Sequence, residues 1–300
     1  MALAAATLSL CLLLLALVVP GRLAAAAWPA RAPSYGLVLW QAVGLVGGLL
    51  AIEVALTVAL APLGATHLDA VRAVLDGSAP AAPWWTWLAL LLGVAVFARL
   101  LWVLVGSAVG TLRARHRHRV MLDLVATRNP LLAGARVVDH EVPLAYCLPG
   151  LRPRVVVSRG VLDLLREDEV RAVLAHEGAH VDQRHDLVVL PFVALGSTFP
   201  RLPGVRTARA EVALLVEMLA DDRAVRHHAP AVLARALYKV GAATVPAGGL
   251  AIAGAGGDGV LQRASRLVSP PPPLPPVARA AVVAAALLLL AVPVAGLLIP

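Results

Sequence analysis

Charged residues are scarce in this chain of 300 residues. Only 15% of them are Asp, Glu, Lys or Arg, whereas 60% are hydrophobic. A soluble domain has roughly a quarter charged residues, so the composition argues for a membrane protein. Aromatic residues make up only 4%, and most of the basic residues behind the net charge of +8 lie near apolar runs. We therefore interpret the positive charge as a sign of membrane orientation and expect no nucleic-acid binding.

Cysteine is also scarce. The two cysteines, Cys11 and Cys147, lie far apart, and Cys11 is within an apolar run. Two such residues can form neither a disulfide framework nor a cysteine-type zinc site. Both of these classes are therefore excluded.

Long apolar runs are abundant. Four of them are long enough for a helix to cross a bilayer, which takes about 20 residues. They run approximately from Ala2 to Val19, from Leu37 to Leu60, from Trp84 to Leu112 and from Val277 to Pro300. The first could instead be a cleaved signal peptide, with a processing site between Ala24 and Ala27. Because no basic residue precedes it, we favour a retained anchor.

Basic residues predict how these spans are oriented. Four arginines between Arg113 and Arg119 follow the third span, with no acidic residue among them. By the positive-inside rule, the segment after this span lies in the cytoplasm and the N-terminus lies outside. We therefore expect a multi-pass protein of the cell (plasma) membrane. Its expected parts are a membrane region with three spans (1–112), a cytoplasmic domain (113–268), a proline-rich linker (269–276) and a fourth span (277–300).

Two charges lie inside the apolar runs, Glu53 in the second and Arg99 in the third. A lone charge in a bilayer is costly and usually finds a partner. One hypothesis is an ion pair between these two residues. The alternative is that each of them meets water or snorkels to the interface.

A zinc-site motif, H-E-x-x-H, occupies residues 176–180. His176 and His180 are four apart, so on a helix they share one face and can bind a single Zn²⁺. Glu177 can then act as the general base that takes a proton from water activated by the metal. Acidic residues at positions 167–169 predict a helix that begins shortly before the motif.

A catalytic zinc site needs a third protein ligand. Downstream, Glu217 and Asp221 are four apart and lie among apolar residues. A buried carboxylate needs a counter-charge, which zinc would supply, so we expect Glu217 to be the third ligand. Asp221 could accept a hydrogen bond from a ligand histidine and fix its tautomer. His185 is a competing ligand, and His227 or His228 could stabilise the oxyanion.

The motifs together resemble the membrane metallopeptidases related to BlaR and MecR and, more distantly, the HtpX and CAAX-type peptidases. The resemblance rests on Ala145-Tyr146-Cys147-Leu148-Pro149-Gly150, the strand from Arg154 to Ser158, the H-E-x-x-H segment and Glu217-Met218-Leu219-Ala220-Asp221. It implies a gluzincin fold, a glutamate as third ligand and one zinc ion per chain. It also suggests that Ala145, Tyr146 and Cys147 form a strand edge to which the substrate adds as a further strand.

The expected fold is therefore an α-helical integral membrane protein of about four spans with a cytoplasmic α+β gluzincin metallopeptidase domain. The expected activity is hydrolysis of peptide bonds in a cytoplasmic protein. In BlaR-like transducers this protein is a transcriptional repressor, so the resemblance implies a repressor as partner, in addition to the lipid bilayer. Those transducers carry an extracellular penicillin-binding sensor after the last span, and this sequence stops at Pro300, so beta-lactam sensing is not expected. The alternatives are an HtpX-like quality-control protease for membrane proteins and a catalytically idle scaffold or receptor.

Overall fold

The computed structural model describes residues 2–78, 81–125, 127–128, 135–148, 154–244 and 257–298, and it is mostly helical. The helices, in chain order, are α1 (Ala2–Leu13), α2 (Val19–Ala24), α3 (Trp28–Arg31), α4 (Pro33–Leu60), α5 (His67–Leu75), α6 (Trp84–Val125), α7 (Arg159–Leu164), α8 (Glu167–Asp182), α9 (His185–Thr198), α10 (Pro203–Ala224), α11 (Pro230–Thr244), α12 (Gly257–Val268) and α13 (Pro276–Leu298). A π-helical turn, Leu14–Val18, joins α1 to α2. One sheet is formed by the strands β1 (Thr127–Arg128), β2 (Arg136–Val138), β3 (Ala145–Leu148) and β4 (Arg154–Ser158).

Within the described residues, four helical stretches are long and apolar enough to cross a membrane. They comprise Leu3–Ala24, Pro33–Leu60, Trp84–Ala114 and Pro276–Leu297. Each overlaps one of the expected spans. The second begins at Pro33 rather than Leu37, because proline is tolerated in the first turn of a helix, where its missing N–H has no partner in any case. The third continues as α6 without a break to Val125, across the domain boundary expected at residue 112.

The hypothesis of an ion pair between Glu53 and Arg99 is wrong. Arg99 Nη2 instead donates a hydrogen bond of 3.2 Å to the carbonyl oxygen of Ser197, near the end of α9. Glu53 is buried, and its carboxylate oxygens have no hydrogen-bond partner among the described residues. The carboxylate lies against Gly296 of α13, so α4 and α13 approach each other closely there. The two charges therefore face different helices.

The helices that carry the expected site share a hydrophobic core with the apolar spans. Trp40 of α4 and Phe192 of α9 are fully buried in this core, together with Leu215 and Met218 of α10. Residues of α1 and α2 line the same core. The expected peptidase domain is therefore packed against the spans rather than joined to them only by connecting segments.

Helix α9 passes through Pro191, where the sequence predicts an interruption. Proline lacks an N–H, so the carbonyl oxygen of Leu187, four residues earlier, loses its usual helical donor. Gln41 of α4 lies against this turn, and its Nε2 donates a hydrogen bond of 2.6 Å to the carbonyl oxygen of Val188. The neighbouring helix thus contacts the turn that precedes the proline, and α9 stays continuous through it.

The sheet has the strand order β1-β2-β4-β3. β2 runs parallel to β4, and β3 runs antiparallel to β4, with Tyr146 opposite Val156. Val156 and Val157 are buried, and successive residues of a strand point to opposite faces, so both faces of β4 are covered. β3 is an edge strand of the described sheet and lies beside α8. The fold therefore places an edge strand next to the helix that carries the H-E-x-x-H motif.

The proline-rich segment between α12 and α13 is attached to the loop that follows the first apolar stretch. Arg31 Nε donates a hydrogen bond of 2.9 Å to the carbonyl oxygen of Pro272. Arg266 of α12 donates a hydrogen bond of 2.7 Å to the carbonyl oxygen of Ala30. These contacts place α3, α12 and the proline-rich segment on the same side of the spans.

Candidate metal centre

Helix α8 presents the H-E-x-x-H motif. Its first turn holds three acidic residues, whose charges complement the positive end of the helix dipole. The side chain of Glu169 also accepts a hydrogen bond of 2.9 Å from the backbone N–H of Arg166, as in a capping box. The helix therefore begins well before the motif, and it places His176 and His180 one turn apart. Their ring centroids are separated by 4.9 Å.

Helix α10 brings Glu217 to the two histidines. The Nε2 atoms of His176 and His180 lie 3.1 Å apart. Glu217 Oε2 lies 3.3 Å from His176 Nε2, and Glu217 Oε1 lies 3.5 Å from His180 Nε2. We call these three side chains the metal-binding cluster, since their donor atoms lie within 4.8 Å of one another. The structure thus brings together the three ligands that the sequence analysis expects.

The spacing and the chemistry of these atoms fit a zinc ion. Donor atoms of a tetrahedral zinc site, with bonds of about 2.0–2.1 Å, lie about 3.3 Å apart. The observed separations of 3.1, 3.3 and 3.5 Å lie on both sides of that value. Two histidines and one glutamate are also a donor set that catalytic zinc sites use, with one position left for water or substrate.

Asp221 lies behind His176. Its Oδ1 is 2.9 Å from His176 Nδ1, the ring nitrogen that does not face the metal-binding cluster. Asp221 is buried, and Arg263 of α12 provides its counter-charge through two hydrogen bonds of 2.8 Å, one from Nε and one from Nη2. Arg263 Nη1 also lies 2.9 Å from Glu217 Oε2. One buried arginine thus binds both carboxylates that face the motif helix.

These contacts shift the pKa values of the buried groups. Burial alone would lower the pKa of His176, but Asp221 and Glu217 raise it to about 9. The pKa of His180 is lowered to about 4, chiefly by burial. Burial would raise the pKa values of Glu217 and Asp221, yet their contacts with His176 and Arg263 lower both to about 2. At neutral pH, His176 of the metal-free protein is therefore a positively charged imidazolium, whereas His180 is a neutral imidazole.

His185 is not one of the clustered donors. It is buried, its Nδ1 lies 2.9 Å from His180 Nδ1, and its Nε2 lies 2.7 Å from Gln183 Oε1. Both ring nitrogens thus have partners behind His180, and His185 does not belong to the metal-binding cluster. His227 is exposed and His228 is half-buried in the turn after α10, and neither belongs to the metal-binding cluster.

Glu177 is half-buried on α8, directly after His176. Burial would lower the pKa of Arg263, but the negative charges of Asp221, Glu217 and Glu177 together raise it. The charge of Glu177 therefore acts on the same group of residues. A carboxylate at this place can take a proton from a water molecule beside the metal-binding cluster.

The expected substrate edge, Ala145, Tyr146 and Cys147, lies in strand β3. β3 pairs with β4 on one side, and it has no second neighbour among the described strands. Ala145 and Tyr146 are half-buried beside α8. An extended peptide could therefore add to this edge of the described sheet and pass along the motif helix.

Arg263 was not identified by sequence analysis. The segment 241–259 before it is rich in glycine and alanine, which predicts a loosely ordered segment, yet residues 241–244 and 257–259 are helical; residues 245–256 lie outside the described part of the chain. Arg263 and Arg266 are three apart on α12 and face the adjacent acids Asp221 and Asp222 of α10, a contact that no spacing in the sequence indicates. Arg266 indeed binds Asp222 with two hydrogen bonds of 2.6 and 2.9 Å.

An apolar helical framework, an H-E-x-x-H helix beside a strand edge, and a glutamate from a second helix define the class of membrane gluzincin-type metallopeptidases. The comparison with protein families agrees, because residues 111–240 match the sequence profile of Peptidase family M48. The expected resemblance to membrane peptidases is therefore confirmed at the level of this family, and the narrower likeness to BlaR and MecR stays a prediction.

Two curated relatives match this chain over its central part. An 84-residue segment is 33% identical to a protein named Protease HtpX homolog from Methanothermobacter thermautotrophicus, and it covers 26% of this chain and 31% of that protein. A 74-residue segment is 35% identical to a Protease HtpX homolog from Aquifex aeolicus, and it covers 24% of each protein. The chain thus spans less than a third of the length of either relative. No solved structure matches it significantly.

Proposed function

We propose that this protein is a membrane zinc endopeptidase that hydrolyses peptide bonds of a cytoplasmic protein. The observation that carries the proposal is the convergence of His176, His180 and Glu217, with Glu177 on the same helix as both histidines. The family match over residues 111–240 supports a peptidase independently of this geometry.

Each of these side chains has a separate role. His176, His180 and Glu217 would hold the zinc ion, which when bound polarises the scissile carbonyl and lowers the pKa of a water molecule. Glu177 takes a proton from the attacking water and delivers it to the leaving amine. Asp221 keeps the proton of His176 on Nδ1, so that Nε2 can serve as the donor atom.

The substrate is a peptide in extended conformation that adds to β3. In an antiparallel or parallel addition, backbone hydrogen bonds fix the peptide while alternate side chains point to the two faces. In this mode of binding the main-chain hydrogen bonds supply affinity, so the substrate must offer an accessible segment that can become extended. β3 lies beside α8, which brings such a segment to the metal-binding cluster.

The substrate is cytoplasmic, and residues 113–268 form the peptidase domain. The basic run from Arg113 to Arg119 supports this orientation through the positive-inside rule. The contact between Arg31 and Pro272 joins the loop after the first span to the linker before the last one, as four spans require in either orientation. The plasma membrane is the proposed location.

A regulatory role, cleavage of a transcriptional repressor, is the proposed physiological function. The second candidate is a protease for membrane-protein quality control, and the relatives named Protease HtpX homolog favour it. The two candidates differ in the number of substrates. N-termini of proteins should be compared between cells with the wild type and cells with Glu177→Ala. If one or two cytoplasmic regulators are cut only by the wild type, the regulatory role is supported. Many membrane-protein fragments would support quality control.

The activity itself is tested with the purified full chain in detergent, with casein as an unfolded model substrate. Glu177→Gln should retain one zinc ion per chain and lose cleavage, because it keeps the shape of the side chain and removes the base. His180→Ala should lose zinc and cleavage together. Unchanged turnover by Glu177→Gln would refute the proposed role of this residue.

A further inference from the structure

A sharp turn between α8 and α9 brings His185 behind the second histidine of the motif. Arg184 adopts a left-handed conformation with φ of 49°, and α9 begins at the next residue. The chain therefore reverses directly after α8, and the His185 ring packs edge-on against the His180 ring at a centroid distance of 4.8 Å. His185 is only 3% exposed, so water cannot replace its contacts.

The donor and the acceptor can be assigned in both hydrogen bonds of His185. Gln183 Oε1 can only accept, so His185 Nε2 must carry a proton and donate to it across 2.7 Å. A neutral imidazole with a proton on one nitrogen accepts on the other, so His185 Nδ1 accepts a hydrogen bond. The donor across 2.9 Å is then His180 Nδ1–H. The proton of His180 thus lies on the side away from the metal-binding cluster.

Because the proton of His180 is on Nδ1, its Nε2 keeps a lone pair. That nitrogen lies 3.1 Å from His176 Nε2 and 3.5 Å from Glu217 Oε1, where a zinc ion needs a donor. If the proton were on Nε2 instead, it would point into the cluster and oppose metal binding. The orientation of a ligand histidine therefore depends on the two residues behind it.

We propose that His185, held by Gln183, is a positioning residue that fixes the tautomer and the ring orientation of His180 for zinc binding. The inference rests on the proposed zinc peptidase function. His176 and His180 are then oriented by different chemistry, His176 by the carboxylate of Asp221 and His180 by a neutral imidazole. His185 touches neither substrate nor metal and acts only through His180.

The test measures zinc affinity of the full chain in detergent with a competing chromophoric chelator. His185→Phe preserves a ring of similar size and removes the acceptor atom Nδ1. His185→Asn instead places an amide oxygen, which can also accept, near the position of Nδ1. We expect zinc affinity to fall roughly 10- to 100-fold in His185→Phe, as for other partners of ligand histidines. In His185→Asn the loss should be clearly smaller.

Two further measurements separate positioning from simple structural support. The absorption spectrum of the Co²⁺-substituted protein reports ligand geometry, and it should change in His185→Phe and return towards the wild type in His185→Asn. The exposed Gln183 offers a second pair of variants in case His185→Phe does not fold. Gln183→Met removes the acceptor and should weaken zinc binding, whereas Gln183→Glu keeps an acceptor and should preserve it.

Equal zinc affinity and equal Co²⁺ spectra for the wild type, His185→Phe and Gln183→Met would overturn the proposal. The proposal would also be overturned if His185→Asn lost as much zinc affinity as His185→Phe. These results are independent of the proposed function, since zinc binding is measured without substrate. If the wild type binds zinc in this way but cleaves no protein, the peptidase assignment fails and the positioning role stands.

Discussion

Arg263 binds Asp221 through two hydrogen bonds of 2.8 Å, and the two side chains are almost completely buried. They come from α12 and α10, 42 residues apart in the chain. Because Asp221 in turn contacts His176, the arginine connects the last helix before the linker to the first ligand of the motif. The carboxylate behind the metal-binding cluster stays ionised in a buried place because this arginine and His176 both stabilise its charge.

The first prediction concerns the removal of this arginine. Arg263→Ala leaves the buried carboxylate of Asp221 without its counter-charge, and breaking a buried pair in this way costs about 3–5 kcal/mol. The free energy of unfolding of the metal-free protein should decrease by about this amount. Zinc affinity should fall as well, because Asp221 no longer has a defined position. Denaturant unfolding in detergent and chelator competition measure the two effects.

The matched control is Arg266→Ala on the same helix. Arg266 binds Asp222, which is more exposed than Asp221, and the pair lies away from His176. The Arg266 and Asp222 side chains are 14% and 38% exposed, so the loss of stability should be smaller than for the buried pair, and zinc affinity should stay unchanged. If the two alanine variants had the same effect on zinc affinity, Arg263 would have no special role at the metal-binding cluster.

The second prediction is a pH dependence of zinc binding. Asp221 and Glu217 raise the pKa of His176 to about 9, so zinc must displace a proton from this residue at neutral pH. Apparent zinc affinity should therefore rise about tenfold for each pH unit as the pH increases towards 9. Affinity measured in zinc buffers of known free concentration at several pH values gives this slope. Asp221→Asn removes one of the two charges that hold the proton and should make the slope shallower. A slope of zero in the wild type would contradict the assignment of the proton to His176.

The raised pKa of His176 affects the stability of the metal-free protein in the opposite direction, because this stability decreases as the pH rises. The pKa of His176 is higher in the folded chain than its ordinary value of 6.5. Its contribution to stability is therefore complete below that value and is lost as the pH rises through about 9. For Glu217 and Asp221, with pKa values lowered to about 2, the contribution is complete above their ordinary values and is lost as the pH falls.

From the sequence, it is easier to predict which residues share one face of a helix than which helices contact each other. The spacing of four residues predicts that His176 and His180 share one face, and in the structure they lie one turn apart. The same argument predicts a shared face for Glu217 and Asp221, and both contact His176. Their roles as ligand and as supporting carboxylate stay predictions.

Contacts that depend on docking between distant elements could not be predicted. Arg263 reaches Asp221 only because α12 packs against α10, and no periodic pattern encodes that distance. The proposed pair of Glu53 and Arg99 failed for a related reason. Membership of adjacent spans does not fix how each helix is rotated, and Arg99 is turned towards the carbonyl group of Ser197.

The third prediction concerns the glycine inside the motif. A Cβ added at Gly178 would meet no atom within 4 Å, so nothing in the described structure requires glycine there. Glycine inside a helix is about 0.8–1.0 kcal/mol less favourable than alanine, so Gly178→Ala should raise the free energy of unfolding by up to this amount. Denaturant unfolding of the metal-free protein measures the change.

Gly204→Ala is the control for this prediction. A Cβ at Gly204 would overlap the backbone carbonyl oxygen of Ala16, and a backbone atom cannot move aside as a flexible side chain can. This variant should be destabilised by about 1–3 kcal/mol, as in other overpacked cores. Equal effects of the two alanine substitutions would mean that the packing of α10 against the π-helical turn is not as close as described.

The fourth prediction concerns the contact between α4 and α13. A Cβ at Gly296 would overlap the Glu53 carboxylate and would lie 2.8 Å from Leu8 Cδ2. Gly296→Ala should therefore separate α13 from α4 and α1 and lower the midpoint of thermal unfolding in detergent. Gly106→Ala is the matched control in another apolar helix, because a Cβ there meets nothing within 4 Å. It should leave the midpoint unchanged or raise it.

A double variant shows whether Glu53 is the group that requires the glycine. Residues in contact have non-additive effects on stability, with coupling energies of about 0.5–3 kcal/mol. Glu53→Ala removes the carboxylate that the new methyl group would overlap, so Gly296→Ala should cost less in this background than in the wild type. If the cost were the same in both backgrounds, the close approach would depend on Leu8, and Glu53 would have no part in it. If Gly296→Ala were as harmless as Gly106→Ala, α4 and α13 would not be in contact at this point.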